Sequence, residues 1–298
     1  MLQLPENPVL RAGLFMVLAM GCFVTNDTCV KMVGQSLPVG EIVAIRGFMS
    51  SLLIMAICAR QGVLGHWPLI LTAPVMSRAA LDLVGTLLFI TALMHMHIAN
   101  LTAILQAVPL AVAFFSALFL GERVGIRRWS AIVIGFIGVL MIVKPSPESF
   151  TIYEVFALTI VFSLACRDII TRRIPARIPT LIIALANAAF VTLGGVALGL
   201  VEGFVAPQAW QLGLLALASL FLGAGYVFMV ATLRIGDLSA TAPFRYSILI
   251  FAIISGVAVF QEIPDGIAVL GMILIVATGL YAAHRESVVK GIAKTRAP

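Results

Sequence analysis

Charged side chains occur deep inside apolar segments of this chain, where they are costly to place. Arg46 and Arg245 stand in such positions, and Phe244 and Tyr246 flank Arg245. A charge at the centre of a bilayer costs roughly 2.5–3.5 kcal/mol on insertion scales, so each one indicates a function by default. A guanidinium can bind a carboxylate or phosphate through two hydrogen bonds and can stack on a flat ring. These four residues are predicted to bind a planar, polar substrate; alternatively, the arginines pair with Asp27 or Glu41 and only join helices.

Two acid–base pairs recur with the same spacing of four residues. Asp27 precedes Lys31, and Asp168 precedes Arg172. Because residues four apart lie one above the other on a helix, each pair can neutralise itself. Two interpretations stay open. The pairs are gates on opposite sides of a membrane, with Asp27 also facing the substrate or a coupling proton, or they are fixed contacts between helices.

The composition is that of a protein that has lipid as its solvent. Of the 298 residues, 61% are hydrophobic and 11% are charged, and the mean hydropathy is +1.12. A soluble domain carries about 25% charged residues. The net charge of +6 does not indicate nucleic acid, because the basic residues lie at the ends of apolar segments and form no continuous patch. The composition therefore predicts the lipid bilayer as a partner, with no nucleic acid.

Sequence motifs of pumps and enzymes are not found. The chain has no GxxxxGK[ST] phosphate loop, so we expect that no ATPase subunit is required. It also lacks HExxH, GxSxG and clustered Cys and His, and we predict no catalytic residue, no metal and no cofactor. An intramembrane enzyme and a channel are the alternatives from other functional classes. Chemical change of the solute would indicate the first, and non-saturating flux would indicate the second.

Ten apolar segments of about 20 residues follow one another with short connections. A helix of that length crosses the roughly 30 Å hydrocarbon core of a bilayer. Lys and Arg concentrate at alternate junctions, which by the positive-inside rule places both termini in the cytoplasm and requires an even number of spans. The chain is therefore predicted to be an all-α integral membrane protein. Its ten transmembrane helices are 10–33, 38–60, 75–96, 99–120, 126–144, 151–172, 179–201, 208–233, 237–260 and 264–284.

The second half of the chain repeats the first with an offset of about 141 residues. Asp27 recurs as Asp168, and Pro38, which opens the second helix, recurs as Pro179. The repeats are predicted as residues 10–144 and 151–285, each with five transmembrane helices. Because five is an odd number, the second copy enters the membrane in the opposite direction. Inverted repeats of this kind typically enclose a substrate site near the middle of the bilayer and rock around it.

One proline interrupts the fourth segment and another interrupts the ninth, its counterpart. They are Pro109 and Pro243. Proline removes a helical hydrogen bond, and interruptions at corresponding places in two repeats point to a transporter binding site. The alternative for each proline alone is a kink without a function.

Several longer stretches resemble a known group of transporters. They are FVTNDTCVKMV (23–33), the run from Gly121 to Trp129, IVKP (142–145), TAPFRYSIL (241–249) and FQEIPDG (260–266). In this order and over nearly the whole chain, they resemble the drug/metabolite transporter superfamily, in the ten-helix group built from two EamA domains. The ND-x3-K segment and TAPFRY are most similar to a bacterial branch that includes riboflavin importers and S-adenosylmethionine uptake carriers.

The resemblance implies secondary active transport of a small organic metabolite across a bacterial inner membrane. Riboflavin uptake is the expected activity; uptake of S-adenosylmethionine and export of amino acids or other metabolites are the alternatives. Riboflavin and S-adenosylmethionine both present a flat heteroaromatic ring that suits Phe244, Tyr246 or Arg245. Ten helices suffice for a complete path through one chain, so we expect a functional monomer.

Overall fold

The computed structural model describes residues 8–119, 125–144, 151–175, 177–235 and 238–295, and over these ranges it contains helices and no strand. Residues 121–124 and Pro145 of the motifs quoted above lie outside the described residues. The helices are α1 Pro8–Val33, α2 Val39–Arg60, α3 Ala73–His95, α4 Ile98–Leu105, α5 Val108–Phe119, α6 Ile126–Val143, α7 Ile152–Arg172, α8 Thr180–Glu202, α9 Ala209–Ile235, α10 Leu238–Arg245, α11 Ser247–Ser255 and α12 Gly266–Thr295. A 3₁₀ segment, Leu64–Leu71, joins α2 to α3, and a π-helical turn, Gly256–Phe260, follows α11.

Two of the predicted segments are not continuous helices. The fourth is divided between α4 and α5, and the ninth is divided between α10 and α11. Pro109 is the second residue of α5, and Pro243 lies inside α10, three residues before the break at Tyr246. Because proline has no N–H, the carbonyl of the residue four positions earlier loses its helical donor. At the second break the amide of Tyr246 bonds to the carbonyl of Pro243 at 3.2 Å, a tighter turn that ends α10.

Seven helices of the described chain are long and apolar enough to cross a membrane. They are Leu10–Val33, Val39–Arg60, Ala73–His95, Ile98–Leu118, Thr180–Glu202, Ala209–Thr232 and Pro243–Phe260. Trp129–Val143 and Gly266–Ala282 are shorter apolar helices. The helix α7 has the length of a span but carries four charged residues, Glu154, Arg167, Asp168 and Arg172. The count of ten spans therefore stays a prediction.

The chain forms two compact units, and the division falls inside α1 and α9. The first unit comprises Met1–Thr25, His97–Phe150 and Phe221–Pro298, and the second comprises Asn26–Met96 and Thr151–Leu220. Each unit therefore takes residues from both halves of the chain. The predicted repeats are a division of the sequence and do not coincide with these units.

In the second unit, α2 and α8 are packed backbone against backbone. A Cβ atom added to Gly40 would lie 2.3 Å from the backbone nitrogen of Gly199, and one added to Gly195 would lie 2.5 Å from that of Ala44. The early residues of α2 thus meet the late residues of α8, so the two helices run antiparallel. Small residues permit such an approach between membrane helices.

The same unit has two chemically different ends. Glu41 at the start of α2 accepts a hydrogen bond from the amide of Val205 at 2.9 Å, and Glu202 at the end of α8 accepts one from the amide of Gly40 at 2.7 Å. We call this the glutamate end. The opposite end, where α2 and α7 finish and α3 and α8 begin, is the arginine end; it carries Arg60, Arg172, Arg173 and Arg177.

The helices α3 and α7 connect the same two ends of the second unit. The hydroxyl of Ser163 donates to the carbonyl of Leu81 at 2.9 Å near the middle of the contact. The rings of His95 and Tyr153 are stacked at the glutamate end, with centroids 3.8 Å apart and an angle of 8° between the planes. The last turn of α3 thus meets the first turn of α7, and these helices are antiparallel as well.

In the first unit, α6 and α12 approach each other through a reciprocal glycine contact. A Cβ atom on Gly138 would lie 2.9 Å from the carbonyl oxygen of Gly271, and one on Gly271 would lie 2.6 Å from that of Gly138. Lys144, just after α6, forms an ion pair with Asp265, just before α12. The hydrogen bond from Lys144 and the amides of Ala268 and Ile267 hold the pKa of the Asp265 carboxyl below its usual range. Both observations make α6 and α12 antiparallel.

We predict that Gly195→Ala destabilises the contact between α2 and α8. The new methyl group would force two helix backbones apart, and overpacking of this kind costs about 1–3 kcal/mol. The measurement is the thermal unfolding midpoint of the purified protein in detergent. Gly213→Ala in α9 is the matched control, because a Cβ atom there meets nothing within 4 Å. Equal midpoints for the two variants would contradict the close approach.

Candidate functional site

The first polar cluster lies in the second unit and joins α1 to α2 and α3. Nη1 of Arg46 donates to Oδ1 of Asn26 at 3.3 Å, and Nδ2 of Asn26 donates to Oδ1 of Asp27 at 2.8 Å. Nζ of Lys31 donates to the carbonyl oxygen of Met96 at 2.7 Å. Asn26, Lys31 and Arg46 are all buried. We call Asn26, Asp27, Lys31 and Arg46 the Asn26 cluster.

The Asn26 cluster brings together three of the predicted site residues, Asp27, Lys31 and Arg46. Asp27 and Arg46 are linked through Asn26, which the sequence analysis did not single out. Glu41, the other acid considered as a partner for the arginine, accepts a hydrogen bond from a backbone amide at the glutamate end. Arg46 is seven residues into α2, which places it about 10 Å from that end at a rise of 1.5 Å per residue.

The second polar cluster is centred on Asp82 of α3. Oδ2 of Asp82 accepts from Nη1 of Arg78 at 3.1 Å, and Oδ1 accepts from Nη1 of Arg167 at 2.7 Å. Arg167 also donates through Nε at 2.9 Å and through Nη2 at 2.7 Å to Oδ1 of Asp168. The Asp82 side chain is only 8% exposed, so two guanidinium groups compensate one buried carboxylate. We call Arg78, Asp82, Arg167 and Asp168 the Asp82 cluster.

Two neutral side chains extend the Asp82 cluster to α7 and α8. Nε of Arg78 donates to Oγ1 of Thr171 at 3.0 Å, and Nη1 of Arg78 lies 3.4 Å from Oδ1 of Asn187. Arg167 is five residues before the end of α7, about 8 Å from the arginine end. The two clusters therefore lie on opposite sides of the middle of the second unit.

The predicted pair of Asp168 and Arg172 is replaced by a different one. The structure pairs Asp168 with Arg167, while Arg172 is exposed at the end of α7. The i,i+4 spacing placed both residues on one face of the helix but did not take account of a neighbouring helix. Arg167 bridges Asp168 and the more deeply buried Asp82, so one guanidinium compensates two carboxylates. Arg167 is thus a site candidate that the sequence did not indicate. The spacing of Arg78 and Asp82 does indicate a structural i,i+4 pair, and that pair is present.

Three positions of the first cluster correspond in the sequence repeat to residues in or next to the second. Asn26 and Asp27 correspond, 141 residues later, to Arg167 and Asp168. Arg46 corresponds in the same way to Asn187. In the first repeat the arginine is on the second helix and the asparagine on the first, and in the second repeat they are exchanged. Applying the single offset to every polar neighbour of Asp27 would have found Arg167 and Asn187.

The residues around Arg245 belong to the first unit and point in different directions. The ring of Phe244 lies against Gly13 of α1, where a Cβ atom would be 2.7 Å from the ring. The hydroxyl of Tyr246 lies against Gly279 of α12, where a Cβ atom would be 1.8 Å away. Arg245 itself is exposed. Phe244 and Tyr246 therefore fill contacts between helices, and the binding role predicted for the three residues stays a prediction.

Aromatic and methionine side chains dominate the surroundings of Phe244. Met16, Ala19 and Met20 of α1 form a buried cluster. The partly buried hydrophobic residues packed against it are Phe23, Phe228, Met229, Phe244, Ile248 and Phe251. Such a surface is apolar and adaptable, because methionine fills irregular gaps and aromatic rings present flat faces. Within the described residues, no group of three or more His, Cys, Asp or Glu side chains is placed to hold a metal ion.

The family model of EamA-like transporters matches residues 10–144 and again residues 151–281. The chain belongs to this family. The two matches agree with the resemblance inferred from the quoted motifs and with two repeats in the sequence. A solved crystal structure aligns with a TM-score of 0.63 over 94% of this chain and 98% of that one; at 18% identity it supports the fold alone.

Three curated relatives differ in the solutes that their names give. The pseudopaline exporter CntI of Pseudomonas aeruginosa (strain PAO1) is 32% identical over 90% of this chain and 94% of that protein. An S-adenosylmethionine uptake transporter of Rickettsia conorii is 26% identical over 88% of each. A riboflavin transporter of Rhizobium johnstonii is 26% identical over 71% of this chain and 70% of that protein. The chain is thus a transporter of the EamA family and a multi-pass bacterial membrane protein.

We predict strong coupling between Asp82 and Arg167 in a double-mutant cycle. Asp82→Asn removes the acid that Arg78 and Arg167 share, and Arg167→Gln removes one of the two cations on Asp82, whereas the double variant removes both partners of the 2.7 Å bond. The expected coupling energy is about 1–3 kcal/mol, measured from unfolding in detergent. The exposed pair of Lys144 and Asp265 is the matched control, and Lys144→Gln with Asp265→Asn should couple by less than about 1 kcal/mol. Additive effects at the buried pair would contradict a shared charge balance.

Proposed function

We propose that this chain is a secondary active transporter that moves a small organic metabolite across the bacterial inner membrane by alternating access. The observation that supports the proposal is the presence of two partly buried polar clusters in which Asn26, Asp27 and Arg46 correspond to Arg167, Asp168 and Asn187 of the second transporter repeat. The Asn26 cluster joins α1 to α2, and the Asp82 cluster joins α7 to α3 and α8. The two clusters lie on opposite sides of the middle of the second unit. One chain is the functional unit, with no cofactor and no ATPase subunit.

The repeats are inverted in this proposal, with ten spans and both termini in the cytoplasm. Reciprocal contacts between counterpart helices support it. Gly138 and Gly271 touch each other's carbonyl groups, and the hydroxyls of Ser51 and Thr192, which are 141 residues apart, lie 3.3 Å from each other. Contacts that are the same from both sides are the mark of a two-fold axis. The antiparallel course of α2 with α8 and of α6 with α12 is what an axis in the membrane plane requires.

The two clusters act as gates in the proposed cycle. In an apolar medium a cluster of this kind is stable only while its opposite charges remain in contact, and separating them is costly unless water enters. Separation of α3 from α7 at Asp82 therefore requires hydration of the arginine end. Separation of α1 from α2 at Asn26 requires hydration of the region near the glutamate end. A transporter that opens one side at a time separates the charges of only one cluster at a time.

The finer prediction, riboflavin uptake, stays part of the proposal together with its alternatives. The relative named as an exporter matches more of the chain and at higher identity than the relatives named as riboflavin transporters. This observation favours metabolite export as the second candidate function. The Asp82 cluster contains two arginines and two carboxylates, whereas the Asn26 cluster contains two cations, Lys31 and Arg46, and one acid, Asp27, so charge balance does not decide between the candidates.

We predict saturable transport by the purified chain in proteoliposomes. Radiolabelled riboflavin is the first probe, and S-adenosylmethionine is tested as labelled solute and as unlabelled competitor. A rate that saturates with solute concentration identifies a carrier, and riboflavin uptake that the competitor leaves unchanged supports the finer prediction. Recovery of a chemically altered solute would indicate an enzyme, and flux that rises linearly would indicate a channel.

The direction and the solute are tested by preloading. Vesicles filled with each unlabelled solute should accelerate entry of the labelled one if both use the same site. Activity with S-adenosylmethionine alone moves the assignment to that solute. No transport of either, by protein shown to be folded and correctly reconstituted, contradicts the uptake proposal and leaves export of another metabolite.

We predict that Arg46→Gln and Arg245→Gln change transport kinetics in different ways. Arg46 is bonded within a buried cluster, so its loss should lower the maximal rate and the unfolding midpoint together. Arg245 is exposed and is proposed to contact the solute, so its loss should raise KM by roughly tenfold, the loss of about one charge-assisted hydrogen bond. Arg245→Lys is the matched control that keeps the charge. Unchanged KM in Arg245→Gln would remove Arg245 from the binding site.

A further inference from the structure

The 3₁₀ segment at the arginine end exposes large apolar side chains in an unusual place. In this segment, Leu64–Leu71, Trp67 is 59% exposed and Leu71 is 64% exposed. The intervening Leu69 and Ile70 are packed against a buried cluster of the second unit. The segment is therefore fixed to the unit by one side while it presents Trp67 and Leu71 outward.

Basic residues surround the same buried cluster. Its members include Ile178, with Ile174 packed against it, and these stand next to Arg177 and Arg173 in the sequence. Arg60 and Arg172, at the ends of α2 and α7, complete a set of four exposed arginines. Within the described part of the chain, none of the four forms an ion pair, because the nearby acids Asp82 and Asp168 are engaged by Arg78 and Arg167. The arginine end thus carries uncompensated positive charge next to exposed apolar side chains.

We propose that the arginine end of the second unit is a binding site for an anionic phospholipid. The lipid phosphate contacts the arginines, and the acyl chains lie against Trp67 and Leu71. Arginine binds phosphate through paired hydrogen bonds, tryptophan prefers the level of the lipid headgroups, and basic side chains at a membrane surface attract anionic lipids. The inference rests on the proposed embedding of the chain in a membrane, but not on the solute that it transports.

The two ends of the second unit provide an internal comparison. Trp210 is 50% exposed at the start of α9, and Nε2 of the neighbouring Gln211 donates to Oγ of Ser36 at 2.8 Å, which places this tryptophan at the glutamate end. The glutamate end carries Glu41 and Glu202, and the basic Lys31 near it is buried and bonded to the carbonyl of Met96. Trp67 and Trp210 therefore report on two membrane surfaces of the same molecule, one with the arginines and one without.

The test measures quenching of a single tryptophan by brominated lipids. One variant keeps Trp67 and carries Trp129→Phe and Trp210→Phe; the other keeps Trp210 and carries Trp67→Phe and Trp129→Phe. Each full-length protein is reconstituted into phosphatidylcholine vesicles with the same fraction of either brominated phosphatidylglycerol or brominated phosphatidylcholine. We expect the anionic quencher to be roughly threefold more effective at Trp67, owing to local enrichment, and equally effective at Trp210.

A second set of variants separates charge from folding. Replacing the four arginines by Gln should bring the ratio of the two quenchers at Trp67 to about one, while replacing them by Lys should preserve most of the preference. High salt should weaken the preference of the unmodified arginine end without any substitution. Equal quenching by both lipids in the parent, or no quenching of Trp67 by either, overturns the site. A preserved lipid preference in a protein without transport would overturn the proposed function alone.

Discussion

The buried carboxylate of Asp82 sets the arrangement of the second unit. An isolated charge cannot remain in an apolar interior, so Asp82 requires cations within hydrogen-bonding distance. One of them, Arg78, comes from its own helix, and the other, Arg167, comes from α7. Arg167 in turn engages Asp168, and Arg78 reaches Thr171 and Asn187. Three helices are thereby tied to a single carboxylate, and their register follows from its position on α3.

Close packing of backbones complements this charge balance. Without a hydrophobic driving force inside lipid, membrane helices associate through surface contact and polar bonds. Gly40 and Gly195 remove the side chains that would keep α2 away from α8, and Glu41 and Glu202 then bond across the same interface at its end. The two kinds of interaction are interdependent. The carboxylates reach the opposite backbone only because the helices are so close, and the close approach is oriented by those bonds.

Helix positions could be predicted well from the sequence, because hydropathy over 20 residues reports directly on transfer into lipid. The breaks at Gln106 and Tyr246 could be located only approximately, since proline marks where a hydrogen bond is lost but not where the chain bends. The residues of the candidate site were harder to predict than the helices. The i,i+4 rule considers contacts within one helix only. Asp168 pairs with Arg167, which also binds Asp82 on α3, and the pattern along α7 carries no information about α3. The repeat offset held that information, because it relates Asn26 to Arg167 and Arg46 to Asn187.

Arginine and asparagine exchange places between the two repeats. This exchange helps to explain why sequence similarity to known transporters does not identify the transported solute. Two identical halves would place the same charge on both sides of the membrane, and a polar solute would then meet the same environment on entry and on exit. Here the arginine is on the second helix of one repeat, where Arg46 bonds to Asn26, and on the first helix of the other, where Arg167 bonds to both Asp82 and Asp168. The two proposed gates therefore differ in charge as well as in shape, because the Asn26 cluster contains one acid and two cations and the Asp82 cluster contains two of each. Residues that hold the gates closed need not contact the solute, so relatives can keep the gating arrangement while transporting different metabolites in different directions.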